Sequence, residues 1–374
     1  MSRWKRHDTV LILGIALLLR ALSVAVTTLT SLNPYAQHDA DGFANSAQSM
    51  ASTITAGTVP KVNFGSIQDV WGMALSPFWL IPGPSRVYAR IAMALLGAIS
   101  VYNVYIIARQ YHSKQAGIIA VLPMIVYPSF LFIHAAIIRE AMVLFLITTI
   151  TTLFLLPISI ISKIQRYCLV FILLYFLILL RPENIFVYIL VFSVVYLFER
   201  ISSKKRGNKL RATITVVLLS SSLAIAAYKE KILMKIATVR GYRSYGRTAY
   251  LTQFIPDTII EAVVFTWIGA AYFLFTPFPW MISNIMDFTI FIEGFINIFY
   301  FAFAILGVRV IYMKIPPQTT GLVVGIITAC AMYGIGTVNV GTAVRHRPMV
   351  LWAIFVLAGI GISNYIEINM KTKV

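Results

Sequence analysis

Long uninterrupted apolar blocks, separated by short charged or proline-rich breaks, recur from one end of the chain to the other. None alternates with period two, so the pattern predicts membrane-spanning helices rather than the strands of a barrel. Blocks fall at residues 9–32, 87–108, 116–135, 141–157, 167–180, 184–198, 212–228, 287–312, 320–338 and 349–366. That gives about ten spans, each compared with the ~20 apolar residues a bilayer core requires. The block at 259–280 ends in Thr276-Pro277-Phe278-Pro279-Trp280 and is read as re-entrant. Pro123 and Pro128 interrupt the third span and predict a kink there. After the first span the period changes: Phe43, Ala47, Met50, Ala51 and Ile54 form one apolar stripe against Asn45, Ser46, Gln48 and Ser49. This is the signature of a short helix lying in the membrane interface. Residues 57–84, rich in Gly, Pro and aromatics, are expected to dip into the membrane with Trp71, Phe78 and Trp79 at headgroup level.

The fold class expected is therefore an all-α polytopic membrane protein with an extracytoplasmic interfacial helix after the first span. Only 12% of the 374 residues are charged, about half the share in soluble domains, which leaves little chain for a soluble domain. Arg3, Lys5 and Arg6 precede the first span, which is read as uncleaved, and put the N-terminus in the cytoplasm. The run from Glu199 to Arg211 is the strongest cytoplasmic signal. Lys229, Lys231, Lys235, Arg240, Arg243 and Arg247 then fall on the outer side, against the positive-inside tendency. Three segments follow: 1–228, a transmembrane catalytic module; 229–286, a basic outer loop with the re-entrant block; and 287–374, C-terminal helices with a basic outer turn. The net charge of +18 belongs to loops and to lipid phosphate, and no basic stripe with interleaved aromatics points to nucleic acid. Cys168 and Cys330 sit far apart inside apolar blocks and indicate neither a disulfide framework nor a metal site.

Acidic residues are scarce, which makes Gln37-His38-Asp39-Ala40-Asp41 conspicuous at the outer end of the first span. On the same side the topology gathers His38, Asp39, Asp41, His134, Arg139, Glu140, Arg181, Glu183, Arg345, His346 and Arg347. Ionisable groups at one depth imply a polar cavity open to the outside, since isolated charges near a bilayer are costly. A carboxylate there can take a proton from a hydroxyl, and guanidiniums can hold a phosphate as it leaves. Structural roles stand beside these: Asp41 as a helix N-cap, Asp39 as a solvated acid, Arg139–Glu140 and Arg181–Glu183 as ion pairs at helix ends, and Arg345 and Arg347 as snorkelling cations. His134 and His346 are read as hydrogen-bond partners rather than metal ligands, and no metal-ligand spacing stands out.

The acidic pair with Phe43 and Ala47, the run Arg90-Ile-Ala-Met-Ala-Leu-Leu-Gly97 leading into Tyr105-Ile-Ile-Ala-Arg109, Tyr127-Pro128 before Arg139-Glu140, and Arg181-Pro-Glu183 occur in this order. The pattern resembles the GT-C superfamily of integral-membrane glycosyltransferases, which includes protein mannosyltransferases and bacterial aminoarabinose transferases. It covers about the first half of the chain. The resemblance implies that Asp39 or Asp41 is the base, that Glu140 belongs to a second acidic loop with Arg139 and Glu183, and that the donor is a polyprenyl-phosphate-linked sugar. It implies transfer, with inversion, to a glycan, lipid or protein acceptor on the outer face of a cell membrane. Arg345, His346, Arg347 and Arg181 would then meet the donor phosphate, with His38 and His134 in the same pocket. No cofactor is demanded; a divalent cation, Mg²⁺ or Mn²⁺, is the one left open. Two other classes fit the same composition: a polymerase or ligase of lipid-linked glycans, and a lipid flippase or transporter without chemistry.

Overall fold

In a computed structural model of the protein, residues 3–30, 37–81, 83–156, 162–201 and 229–371 are described. Among them there is no strand, only an isolated bridge between Ala249 and Asn339. The helices are α1 (Arg3–Leu29), α2 (Gln37–Thr55), α3 (Ile67–Leu75), α4 (Pro77–Leu80), α5 (Arg86–Tyr111), α6 (Lys114–Val126), α7 (Pro128–Ala135) and α8 (Glu140–Leu155). They continue with α9 (Lys163–Leu180), α10 (Asn184–Ile201), α11 (229–243), α12 (Ile259–Phe275), α13 (Ile285–Tyr312), α14 (Pro316–Gly336), α15 (Val340–His346) and α16 (Pro348–Lys371). Packing divides the chain into two compact units, one of Met1–Ile185 with Phe355–Val374 and one of Phe186–Ile354.

Six of these helices are long and apolar enough to cross a membrane: Thr9–Leu29 within α1, α5, α9, α13, α14 and Pro348–Met370 within α16. The bent pair α6 and α7 raises the number to seven if it forms one span. This is fewer than the ten expected. An apolar block in sequence is not yet a crossing: α8, with 16 residues, reaches only about 24 Å against a core of about 30 Å. The apolar helix α12 is likewise short, and the expected span at 212–228 lies outside the described residues.

In the first unit, α5 is the axis, buried along much of its length and packed by α1, α6 and α8. Its C-terminal end meets the last turns of α16, where Ser113 and Ser363 hydroxyls lie 2.9 Å apart and His112 faces Glu367 at 3.6 Å. The expected kink is at Tyr127-Pro128, where α6 and α7 diverge by 65°, while Pro123 stays inside α6. In the second unit α12 packs on α14, and α13 packs on both.

Two expectations about the outer loop are corrected. Asp41 is no N-cap, because α2 already begins at Gln37, so that Asp39 sits in its first turn and Asp41 beyond it. Acids near a helix N-terminus are favoured by its dipole, and this extends the helix back through them. Trp71 and Trp79 do not face outward from residues 57–84. This stretch forms α3 and α4, which fold back onto α2 and bury both indoles. Trp71 donates its Nε1–H to the Ile137 carbonyl at 3.2 Å, pinning this layer to the turn before α8. Gly72 makes the packing possible, since a Cβ there would collide with Ser46 of α2.

Candidate functional site

The layer of α2, α3 and α4 on the first unit brings acids and guanidiniums together. Asp41 Oδ1 accepts from Arg86 Nη1 at 2.5 Å, with the two side chains 48% and 45% exposed. Arg86 opens α5, where Ser85 caps the helix by accepting from the Val87 amide. One turn on, Arg90 donates to the Thr28 hydroxyl of α1 at 3.0 Å. Sequence reading missed Arg86 as a partner of the acidic pair, although its place at the start of the second span was a usable signal. Asp39 is partly exposed, and the His38 side chain lies outside the described residues.

A second charged cluster sits behind this layer and is buried. Arg181 Nη2 donates to Glu140 Oε1 at 2.8 Å and Nη1 to Glu183 Oε1 at 3.4 Å. Arg181 and Glu140 side chains are 3% and 0% exposed, whereas Glu183 is 34% exposed. Arg139 Nη1 donates to the Leu180 carbonyl at the C-terminus of α9. Cationic side chains at helix C-termini satisfy carbonyls that have no intrahelical donor and complement the dipole. The expected acidic loop is thus a helix-end clasp between α8 and α9. Through Trp71 and Ile137 it is joined to the layer that carries Asp39 and Asp41.

His134, expected to line the outer pocket, is instead fully buried beside Arg20 of α1. Arg20 donates from Nε to His134 Nδ1 at 3.2 Å, from Nη1 to the Ala16 carbonyl at 3.1 Å, and from Nη2 to the Met124 carbonyl at 2.9 Å. The Met124 carbonyl needs a donor because Pro128, four residues on, has no N–H to give it. In a bilayer such a group must be satisfied within the protein, and Arg20 does so. The acceptor role of Nδ1 assigns the imidazole proton to Nε2. Helix α5 passes close at Gly97, where a Cβ would stand 2.6 Å from His134 Nδ1 and 2.8 Å from Arg20 Nε.

The second unit holds the basic residues expected around the donor phosphate. They do not form a turn: Arg345 and His346 end α15, and Arg347 is its C-cap. His346 and Arg347 are buried, and the His346 ring lies 5.2 Å from Tyr333. Arg347 Nε donates to the Phe273 carbonyl at 2.6 Å, while Nη2 meets the Thr276 carbonyl and hydroxyl. Phe273 again stands four residues before a proline, Pro277, so the Arg20 solution recurs. Arg347 is therefore committed to the end of α12 rather than displayed for a ligand.

The three arginines of the basic run that opposed the positive-inside tendency are likewise engaged within the protein. Arg240 donates to the carbonyls of Leu251, Phe254 and Ile335, and lies over the Phe265 ring. Burial pushes this guanidinium down to about 10, so it remains charged at neutral pH. Arg243 takes the Gly336 carbonyl at the end of α14, and Arg247 forms a two-pronged pair with Asp287. Sequence reading also missed a buried polar stripe on α13, where Glu293, Asn297 and Tyr300 share the face of Ile290 and Ala304. Their helical spacing within an apolar span was the available signal.

Among the described residues no group of three or more His, Cys, Asp or Glu side chains is arranged to hold a metal ion. Searches of protein-family models, curated proteins and solved structures give no match to this chain.

Proposed function

We propose that the protein is a multi-pass membrane glycosyltransferase acting at the outer layer of its first unit. Its donor is a sugar on a polyprenyl-phosphate carrier, and its acceptor is a hydroxyl of a glycan, lipid or protein. The acceptor oxygen attacks the anomeric carbon, and its proton passes to Asp39. The bond from that carbon to the carrier phosphate breaks, and the phosphate leaves with the electron pair and inversion at the carbon. Asp41, bonded to Arg86 at a half-exposed site, is the second candidate for this base. The observation that carries the reading is the pair of carboxylates at the start of α2, partly exposed and faced by a guanidinium from α5. A positioned base is worth about 10²- to 10⁴-fold in rate.

The test is transfer from a radiolabelled polyprenyl-phosphate sugar by the detergent-solubilised protein. Asp39→Asn is expected to retain the fold and lose transfer by at least the lower of those factors. Undiminished transfer by both Asp39→Asn and Asp41→Asn would remove the paired acids from the chemistry. Turnover of an oligosaccharide-diphosphate lipid, with none of the monosaccharide phosphate, would point to a polymerase or ligase instead.

A further inference from the structure

An apolar groove of about 350 Å³ runs between α1 and α5 on the first unit, with Ala21, Ala25, Thr28, Val87, Ile91 and Ala94 among its walls. Its lining is almost wholly hydrocarbon, and small residues make it: Ala21 and Ala25 are exposed, so the hollow opens sideways rather than into the packed interior. Both walls belong to helices long and apolar enough to cross a membrane, so what lies against the opening is bilayer. One end is different. There Thr28 is bonded by Arg90, and Arg86 stands one turn nearer the start of α5. Arg86 is engaged by Asp41, whereas Arg90 is partly exposed and, among the described residues, spends one Nη donor on Thr28.

A slot sized for a hydrocarbon chain, with a guanidinium bonded to its Thr28 wall near the start of α5, matches one kind of ligand. We infer that the groove holds a chain of an anionic phospholipid from the surrounding bilayer, with the headgroup phosphate on Arg90. Guanidinium and phosphate form strong charge-assisted hydrogen bonds at such a site, and burial of the chain's methylenes adds to binding. A zwitterionic headgroup would share the phosphate but bring its own cation towards Arg86 and Arg90, so the site discriminates by net charge. The inference does not depend on sugar transfer and stands or falls separately from it.

The experiment is native mass spectrometry of the full-length protein in detergent, titrated with phosphatidylglycerol or phosphatidylcholine of equal chain length. Phosphatidylglycerol is expected to be retained and phosphatidylcholine not. Arg90→Gln should lower retention about tenfold, the loss of one hydrogen bond to a charged group. Ala25→Phe, a change at an exposed position that fills the slot, should abolish retention without lowering the melting temperature. Equal retention of the two lipids, or unchanged retention in both variants, would overturn the inference. So would competition by inorganic phosphate at the same concentration, which would mean that the hydrocarbon slot contributes nothing.

Discussion

Two ion pairs in the first unit have similar chemistry and opposite surroundings. Arg86–Asp41 is about half exposed, whereas Arg181–Glu140 is sealed from solvent. An exposed pair contributes between nothing and about 1 kcal/mol, because water and salt compete for both partners. A buried pair is different in kind: its net worth is small, yet removing one member strands the other in a poor solvent. The difference separates a residue free to exchange partners with a ligand from one that holds two helices in register. Asp41 is of the first sort, and Glu140 of the second.

The largest effect is expected where the burial is deepest. Arg181→Met should destabilise the protein by about 3 to 5 kcal/mol, read by thermal unfolding in detergent, because Glu140 is left without its cation. Adding Glu140→Leu should recover most of the loss; no recovery would mean that the clasp is not an ion pair in energetic terms. Next comes the internal bond at the kink, where Arg20→Ala should cost about 2 to 4 kcal/mol from a cavity and an orphaned carbonyl. Pro128→Ala supplies the missing N–H, so the same Arg20 substitution in that background should cost less. A double-mutant cycle measures the coupling. Gly97→Ala is expected to cost about 1 to 3 kcal/mol by pressing on His134 and Arg20, with the melting temperature as the readout. At the exposed end of the scale, Asp41→Asn should change stability by less than about 1 kcal/mol. A melting temperature lowered as much as in Arg181→Met would erase the contrast between the two pairs.

Much of the helical plan was legible because apolar blocks and proline breaks act locally. The α6–α7 bend could be placed from Pro128 alone, and an interfacial-type helix from the stripe Phe43, Ala47, Met50 and Ala51, all of which are buried against the protein. What escaped was decided at long range. Arg20 carries no signal of its own in the first span, since the carbonyl it serves is opened by a proline more than a hundred residues later. The excess of arginine in 240–247 was counted as a topology signal, yet these side chains close the ends of α14 and bind Asp287. Counting charges along a chain cannot tell a guanidinium facing lipid phosphate from one facing a carbonyl. The acidic pair stood out by rarity, but its partner Arg86 was hidden at a span boundary, where basic residues are commonplace.

The indole of Trp71 has a consequence for how this molecule tolerates change. Its bond to Ile137 seats the layer of α2, α3 and α4 on a peptide two residues before Arg139, which also leads into the helix of Glu140. Added residues in the loop between α2 and α3 would be absorbed as slack. One extra residue between Phe130 and Arg139 would swing both charged clusters together, so length variation is open on one flank of the layer and closed on the other.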